Sequence, residues 1–424
     1  MSESIQSIRG FGDVLPAESP VWQFVEETFK AELKRYGFDE IRLPIVEKTE
    51  LFARSIGEVT DIVEKEMYTF QDRNGDSLTL RPEGTAGCVR AALQRGLLHN
   101  ARPRLWYTGP MFRHERPQKG RCRQFHQVGA EAFGLSGPDI DAEMILMSGR
   151  ILRALGLQNL RLEINNLGSK ASRAAYREQL VSYFEGQADQ LDEDARRRLH
   201  SNPLRILDTK NPAMVDVVRD APDLLAAIDD DSRQHFETLQ QVLGAANQAF
   251  TVNSRLVRGL DYYGGTVFEW ISDDLGAQGT VLAGGRYDTL VAQIGGRATP
   301  AIGFAAGIER LVALVEAAGT APAPTRPHAY LVIGDPDLLE EAIALAERLR
   351  DALPGLQLEV NAGGGSMKSQ LRRADRSGAA LALLLGHEEV AAGEVTVKDL
   401  RGQAEQARVA MDALQKTLLP LCTQ

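Results

Sequence analysis

The chain of 424 residues carries a formal net charge of -10, with 43% hydrophobic and 25% charged residues, the proportions of an ordinary globular protein. It is too long for one compact core, since single cores stop growing near roughly 250 to 300 residues, and its acidity argues against a nonspecific nucleic-acid binder. Cys88, Cys122 and Cys422 form no CxxC pair and suggest neither a zinc site nor a disulfide framework; the N-terminus lacks a basic-then-apolar leader, and the longest apolar run, AALALLL at 379–385, is too short to cross a bilayer, so a cytoplasmic protein with no membrane partner is expected.

Ser19 and Pro20 offer a cap and a first helical position, and Trp22, Val25, Phe29, Leu33 and Tyr36 recur at helical spacing up to Gly37. A helix of about five turns follows. IRLPIVE at 41–47 reads as a strand whose Pro44 places it at an edge or interface. MYTFQDRNGDSLTLR at 67–81 reads as a hairpin through a two-residue turn at Asn74-Gly75. RPEGTAG at 81–87 then marks a strand-to-helix transition, where a capping Thr85 and a solvated Glu83 are the ordinary arrangement.

RLWYTGPMFRHE at 104–115 and RQFHQVGAEAFG at 123–134 read as paired strands joined by a polar loop at 116–122. Across them, FRHERPQKGRCRQFHQ at 112–127 gathers Arg113, Arg116, Lys119, Arg121 and Arg123 beside His114 and His126. A metal, an anionic small molecule, a nucleic acid and a solvated loop all fit such a run. Two histidines on different strands with no third ligand count against the metal. Period two sets Arg123, Phe125, Gln127, Gly129, Glu131 and Phe133 on one face of the second strand.

Residues 169–248 are polar, helical and rich in Ala and Asp, capped at Ser169 and broken at Asn202-Pro203 and Asn211-Pro212, and read as an insertion. LVRGLDYYGG at 256–265 holds Arg258, Asp261, Tyr262 and Tyr263, although adjacent tyrosines more often serve packing. TVFEWIS at 266–272 is strand-like, AGGRYD at 283–288 reads as a turn whose glycines admit a ligand, and AIGFAAGIERLVALVEAAG at 301–319 reads as a strand running into a helix that holds Glu309 and Arg310. Neither a dinucleotide fingerprint nor a P-loop occurs in suitable context. GTAPAPTRPH at 319–328 is a linker, and beyond it strands and helices alternate as in a small parallel α/β domain of about 95 residues, with Lys368, Arg372, Arg373 and Arg376 in one helical neighbourhood. Arg113, Arg121, Arg123, Arg258 and Arg310 suit phosphate contacts and charge developing in phosphoryl or nucleotidyl transfer. The residues alone thus reach a polyphosphate-handling enzyme.

Resemblance goes further. The strand with Pro44, FRHERPQKGRCRQFHQ and GFAAGIERL at 303–311 resemble motifs 1, 2 and 3 of class II aminoacyl-tRNA synthetases, and LVRGLDYY and AGGRYD resemble the two signature peptides of the histidyl-tRNA synthetase family, bacterial type, over essentially the whole chain. The resemblance implies an α+β fold: a class II synthetase-like antiparallel sheet flanked by helices, with a helical insertion, a C-terminal α/β anticodon-binding domain, and assembly as a homodimer. The implied divisions are a catalytic core at 1–168 and 249–320, the insertion at 169–248, the linker at 321–328 and the anticodon-binding domain at 329–424.

The implied activity is ATP-dependent ligation of L-histidine to tRNA(His) through a histidyl-adenylate, releasing AMP and pyrophosphate, with Mg2+ bound through ATP and no dedicated protein metal site. By resemblance, Arg113 holds the α-phosphate and the carboxylate, Phe125 stacks on adenine, Arg310 lies near adenine and the γ-phosphate, and Arg121 and Arg123 approach the outer phosphates. Arg258 is the catalytic arginine on the α-phosphate. Glu83, Thr85 and Gln127 bind the α-amino group, and Glu131 and Tyr263, with Tyr262 beside them, read the imidazole. Such a site rejects analogues lacking those groups by roughly 10⁴ to 10⁵ and needs no editing domain. Arg116 and Gln118 reach toward the tRNA acceptor end, and Lys368, Arg372 and Arg373 toward the anticodon arm. A noncatalytic regulatory subunit of ATP phosphoribosyltransferase is the alternative, disfavoured by the intact Glu83, Arg113, Arg258, Tyr263 and Arg310 and by the final domain; LVRGLDYY with Glu131 argues against prolyl or threonyl specificity.

Overall fold

In the computed structural model the first apolar stripe forms a helix, Ser19–Arg35, that buries Val21, Val25, Phe29 and Leu33. It starts after Glu18 rather than at a serine cap: the Glu18 carboxylate accepts the Leu15 N–H at 2.9 Å, while the Ser19 hydroxyl turns back to the Leu15 carbonyl at 3.1 Å. The structure describes residues 4–57, 60, 62–117, 120–207, 209, 211–274, 279–323 and 326–422. They fall into two units, Met1–Pro322 and Ala323–Gln424.

The first unit contains β1 (Asp39–Glu40), β2 (Val46–Lys48), β3 (Tyr68–Gln71), β4 (Ser77–Leu80), β5 (Arg104–Phe112), β6 (Gln124–Phe133), β7 (Leu160–Asn166), β8 (Thr251–Val252), β9 (Thr266–Ser272), β10 (Thr280–Arg286) and β11 (Ala301–Gly307). Its main sheet runs β1-β5-β6-β11-β10-β9-β7-β8. The six central strands are antiparallel, and the short β1 and β8 add parallel edges. On one face, Val128, Ala130, Ala132 and Phe268 pack with Val25, Ile145, Leu152, Leu239 and Leu311 from four helices. The other face, with Tyr107 and Phe133, meets the helix Thr85–Gln94 and the inserted helices. Helices thus flank the sheet on both sides.

Three local expectations change. The 41–47 run is not one strand: the chain leaves the main sheet after β1 and joins a separate sheet, β2-β4-β3. Buried Arg81 fills the break, donating to the carbonyls of Leu43 at 3.0 Å, Pro44 at 3.4 Å and Pro110 at 2.9 Å. The β3–β4 hairpin forms, but Asp72 organises its loop, accepting the N–H groups of Asn74 and Asp76 at 2.8 and 2.9 Å, a side-chain substitute for the two-residue turn. AGGRYD does not turn either; β10 runs straight through Gly284 and Gly285 against β11. A Cβ on Gly284 would lie 2.3 Å from the Gly303 carbonyl and one on Gly285 2.6 Å from that of Thr266, so these glycines allow strands to close up.

The inserted segment is helical from Lys170–Glu185 to Asp230–Ala245. Ser169 caps its first helix by accepting the Ser172 N–H at 3.2 Å, and Asn202-Pro203 and Asn211-Pro212 each open a short 3₁₀ turn. In the second unit, β12 (Ala329–Ile333), β13 (Leu358–Val360), β14 (Leu381–Leu385), β15 (Glu394–Asp399) and β16 (Ala407–Ala410) run in the order β13-β12-β14-β15-β16. Only the first three are parallel; the connection through His387–Ala392 is too short for a crossover and returns the chain antiparallel, giving a mixed sheet. Among the described residues, no helix is long and apolar enough to cross a membrane.

Candidate active site

The pleat of β6 sends Phe125, Gln127 and Glu131 to the face opposite Val128 and Ala130, as the period-two reading requires. Above that face lies a cleft of about 1080 Å³, its mouth included. Glu83, Thr85, Arg113, Arg121, Phe125, Gln127, Arg258, Tyr262, Tyr263 and Arg310 all line it, although they come from four separated stretches of sequence.

One end is carboxylate-rich and dry. Glu83, 4% exposed, reverses the ordinary helix entry: its carboxylate accepts the N–H groups of Thr85 and Ala86 at 2.6 and 3.0 Å, leaving the Thr85 hydroxyl to donate to Glu131 at 2.7 Å. Glu131 lies beneath the cleft lining at 1% exposure and accepts two further hydroxyls, Tyr107 at 3.0 Å and Tyr287 at 2.5 Å. Burial pushes the Glu131 carboxyl up to about 8, against the pull of those three donors, and burial also raises Glu83. Glu131 occupies space that a side chain at 303 would fill: a Cβ there would lie 1.6 Å from its Oε2. Tyr262 and Tyr263 pack with ring centroids 4.8 Å apart, and Tyr262 meets Tyr287 edge-on at 5.7 Å.

The other end is cationic. Arg113 donates to the Pro82 carbonyl at 2.8 Å and lies 5.2 Å over the Phe125 ring, Arg121 pairs with Glu115 at 3.0 Å, and Arg310 donates to the Thr280 carbonyl. Burial lowers the Arg310 pKa first, with Arg121 and Arg113 adding repulsion and Glu115 and Glu309 opposing it. Between the two ends, Arg258 stands over Tyr263 at 5.9 Å and pairs with Glu269, which Thr280 also bonds at 2.9 Å. Arg258 Nε and Gln127 Oε1 are both buried without a partner. Such groups cost free energy unless something else bonds them, which points to a ligand.

One expected contact is not brought to the cleft. Arg123 turns away, its Nε donating to the Glu115 carbonyl at 3.3 Å and its stem packed over Gly10, because the chain at Gly10 hydrogen-bonds the Arg123 backbone. Arg116 is exposed on the loop, and Gln118 lies outside the described residues. His114 meets Tyr68 edge-on at 5.7 Å, and His126 bonds Glu309 at 3.0 Å and meets Trp22 edge-on. The sequence reading missed the acids that orient the arginines, Glu115 and Glu269, and the hydroxyls on Glu131 from Tyr107 and Tyr287. Glu115 and Tyr287 stand inside motifs that reading had quoted; Glu269 and Tyr107 leave no signal beyond strand parity.

A family model described as histidyl-tRNA synthetase matches residues 10–311, and one described as anticodon binding domain matches residues 328–420. The chain is 65% identical over 418 residues to a histidine–tRNA ligase of Alkalilimnicola ehrlichii, covering 99% of this chain and 97% of the relative. It is 62% identical over 411 residues to a histidine–tRNA ligase of Halorhodospira halophila, covering 97% of each. The solved structure of apo S. aureus histidyl-tRNA synthetase is similar at a TM-score of 0.83 and 33% identity, covering 98% of this chain and 100% of that one.

Proposed function

Because the chain belongs to the histidyl-tRNA synthetase family, we propose how its cleft joins L-histidine to tRNA(His) with ATP, residue by residue. The ligation itself is the family's activity, and the regulatory-subunit alternative is not favoured. The reading of the site rests on one observation above all: Arg258 and Gln127, whose Nε and Oε1 are buried and unpartnered, both line one cleft between a carboxylate-rich end and an arginine-rich end. An amino acid fits the first end and a polyphosphate the second.

Histidine enters beside Glu83, Thr85 and Gln127, which hold its ammonium, while Glu131 and Tyr263, with Tyr262 behind, read the two imidazole nitrogens. ATP lies with adenine on Phe125 and its phosphates among Arg113, Arg121 and Arg310. Arg123 serves the loop rather than the nucleotide. Histidine's carboxylate attacks the α-phosphate, pyrophosphate leaves, and Arg258 with Arg113 stabilises the charge gathering on the phosphoryl oxygens. The tRNA 3′-hydroxyl then takes the histidyl group and AMP leaves. The nearest carboxylates at the phosphate end, Glu115 and Glu309, are already paired with Arg121 and His126, which suits Mg2+ carried by the phosphates rather than by a protein cage.

Arg116 and Gln118 on the loop approach the tRNA acceptor end. The exposed Lys368 and Arg372 face the anticodon arm, while Arg373 is occupied by the Ala362 and Gly364 carbonyls. The domain divisions at 168, 248, 320 and 328 carry these roles. We place the protein in the cytoplasm as a homodimer, for which the exposed Ile45, Val46 and Phe70 beside the small sheet supply apolar surface. Arg258→Ala tests the chemistry: histidine-dependent ATP–pyrophosphate exchange falls about 10² to 10³-fold while the gel-filtration position is kept. Near-normal exchange removes Arg258 from the mechanism.

A further inference from the structure

The peptide at 256–265 carries Arg258 and Tyr263 yet contains neither helix nor strand, so its conformation is set by what it touches. Its two ends are tied to the sheet side of the unit. Asn165 Nδ2 donates to the Leu256 carbonyl at 3.0 Å, the Gly264 N–H to Arg286 at 2.9 Å, and the Leu167 N–H to Gly265 at 2.7 Å. Its middle is tied chiefly to the helical insertion. Asn202 Nδ2 donates to Asp261 Oδ1 at 2.7 Å, and the Arg173 guanidinium donates to the Tyr263 carbonyl. Arg205, Arg173 and Arg177 flank the Asp261 charge, and on the opposite side the Asp261 N–H donates to the Ile56 carbonyl at 3.2 Å.

The break at Asn202-Pro203 explains why Asn202 can do this. Its backbone N–H is taken by the Arg198 carbonyl at 2.8 Å and its own carbonyl by the Arg205 N–H at 3.1 Å, so the side-chain amide is left to reach across. Tyr176, Leu180, Phe184 and Leu224 of the insertion are buried in the same apolar cluster as Leu256, Val257, Tyr262 and Tyr263 of the peptide, so the two polar ties add direction to a surface that is already packed.

We propose that Asn202 and Arg173 are positioning residues for Arg258, so that the insertion holds the catalytic arginine at its working angle during adenylate formation. The proposal rests on the role given to Arg258 above. A guanidinium displaced by a fraction of an ångström still lets substrates bind but stabilises the transition state less, so the loss falls on kcat rather than on KM.

Asn202→Asp sets two carboxylates against each other, and adding Asp261→Asn reverses donor and acceptor and restores the bond. In histidine-dependent ATP–pyrophosphate exchange, counted per active site by adenylate burst, Asn202→Asp lowers kcat about tenfold with KM for histidine and ATP within about twofold. The double variant recovers to within about threefold of the parent, as expected of two coupled partners. Arg173→Lys, which loses the forked geometry but keeps the charge, gives the same split of kcat from KM and serves if Asn202→Asp does not fold. In an Arg258→Ala background either change costs nothing further. An unchanged kcat per site, a loss that the swap does not repair, or an equal loss without Arg258 overturns the proposal. Near-normal exchange by Arg258→Ala alone overturns instead the role of Arg258.

Discussion

Glu131→Gln tests whether the carboxyl beneath the cleft is held protonated. Burial pushes it up to about 8 from an ordinary 4.5, although Tyr287, Thr85 and Tyr107 all donate to it. The sign follows from which state keeps the proton. Between pH 4.5 and about 8 the folded protein retains a proton that the unfolded chain has released, so stability falls as pH rises through that window and levels off above it. At pH 7 the separation is about 2.5 pH units, which at about 1.36 kcal/mol per unit costs roughly 3 kcal/mol; across the whole window the cost is roughly 5 kcal/mol. Glu83, buried beside it, titrates with it and blurs the step without changing its direction. Glutamine keeps the shape and cannot ionise, so urea unfolding of the full chain, parent against variant, cancels every other carboxyl. The changed hydrogen bonding of an amide adds an offset that does not vary with pH. Relative to the parent, the variant gains about 4 kcal/mol between pH 5 and pH 8. Parallel stability curves across that range would refute a protonated Glu131. Under the proposed reading of the site, the same variant raises KM for histidine, because one ring nitrogen then meets an amide instead of a carboxyl.

Arg81→Met keeps most of the side-chain volume but strands the Leu43, Pro44 and Pro110 carbonyls, and thermal or urea unfolding should show a loss of about 2 to 4 kcal/mol. Lys368→Ala with Arg372→Ala raises KM for tRNA several-fold and flattens its salt dependence by about one log unit of slope per cation removed, measured in aminoacylation over a range of salt. Pyrophosphate exchange, which involves no tRNA, is the internal control.

Much of the fold was legible because its signals are local. β9 matches TVFEWIS residue for residue, the segment at 301–319 runs from strand into helix, and both Asn-Pro breaks open short 3₁₀ turns in the insertion. The misreadings share a different cause. Gly284 and Gly285 look like a turn in isolation; their need for glycine comes from Gly303 and Thr266 on neighbouring strands, which the local sequence does not display. Pro44 marks a real interruption, but the filler of the gap is Arg81, far along the chain. Within the site, face parity on β6 found Phe125, Gln127 and Glu131, yet parity treats Arg123 as their equal. The strand begins only at Gln124, and the contact with Gly10 rotates Arg123 out of the row. Asp72 beside Asn74-Gly75 shows the same limit on a smaller scale: a carboxylate two residues upstream decided the turn.

The empty Cβ position at Gly303 bears on how this site can change over generations. Glu131 fills the volume that even a methyl group there would claim, so the two positions cannot be varied independently. Any lineage, or any selection for a histidine analogue, that starts by substituting 303 displaces the carboxyl proposed to read the ring before it gains a new contact. One that starts with a smaller side chain at 131 leaves a void against bare backbone. Changes of volume at the two positions are thus coupled, and the changes open to selection begin instead with the hydroxyls around the carboxyl: Thr85, Tyr107 and Tyr287.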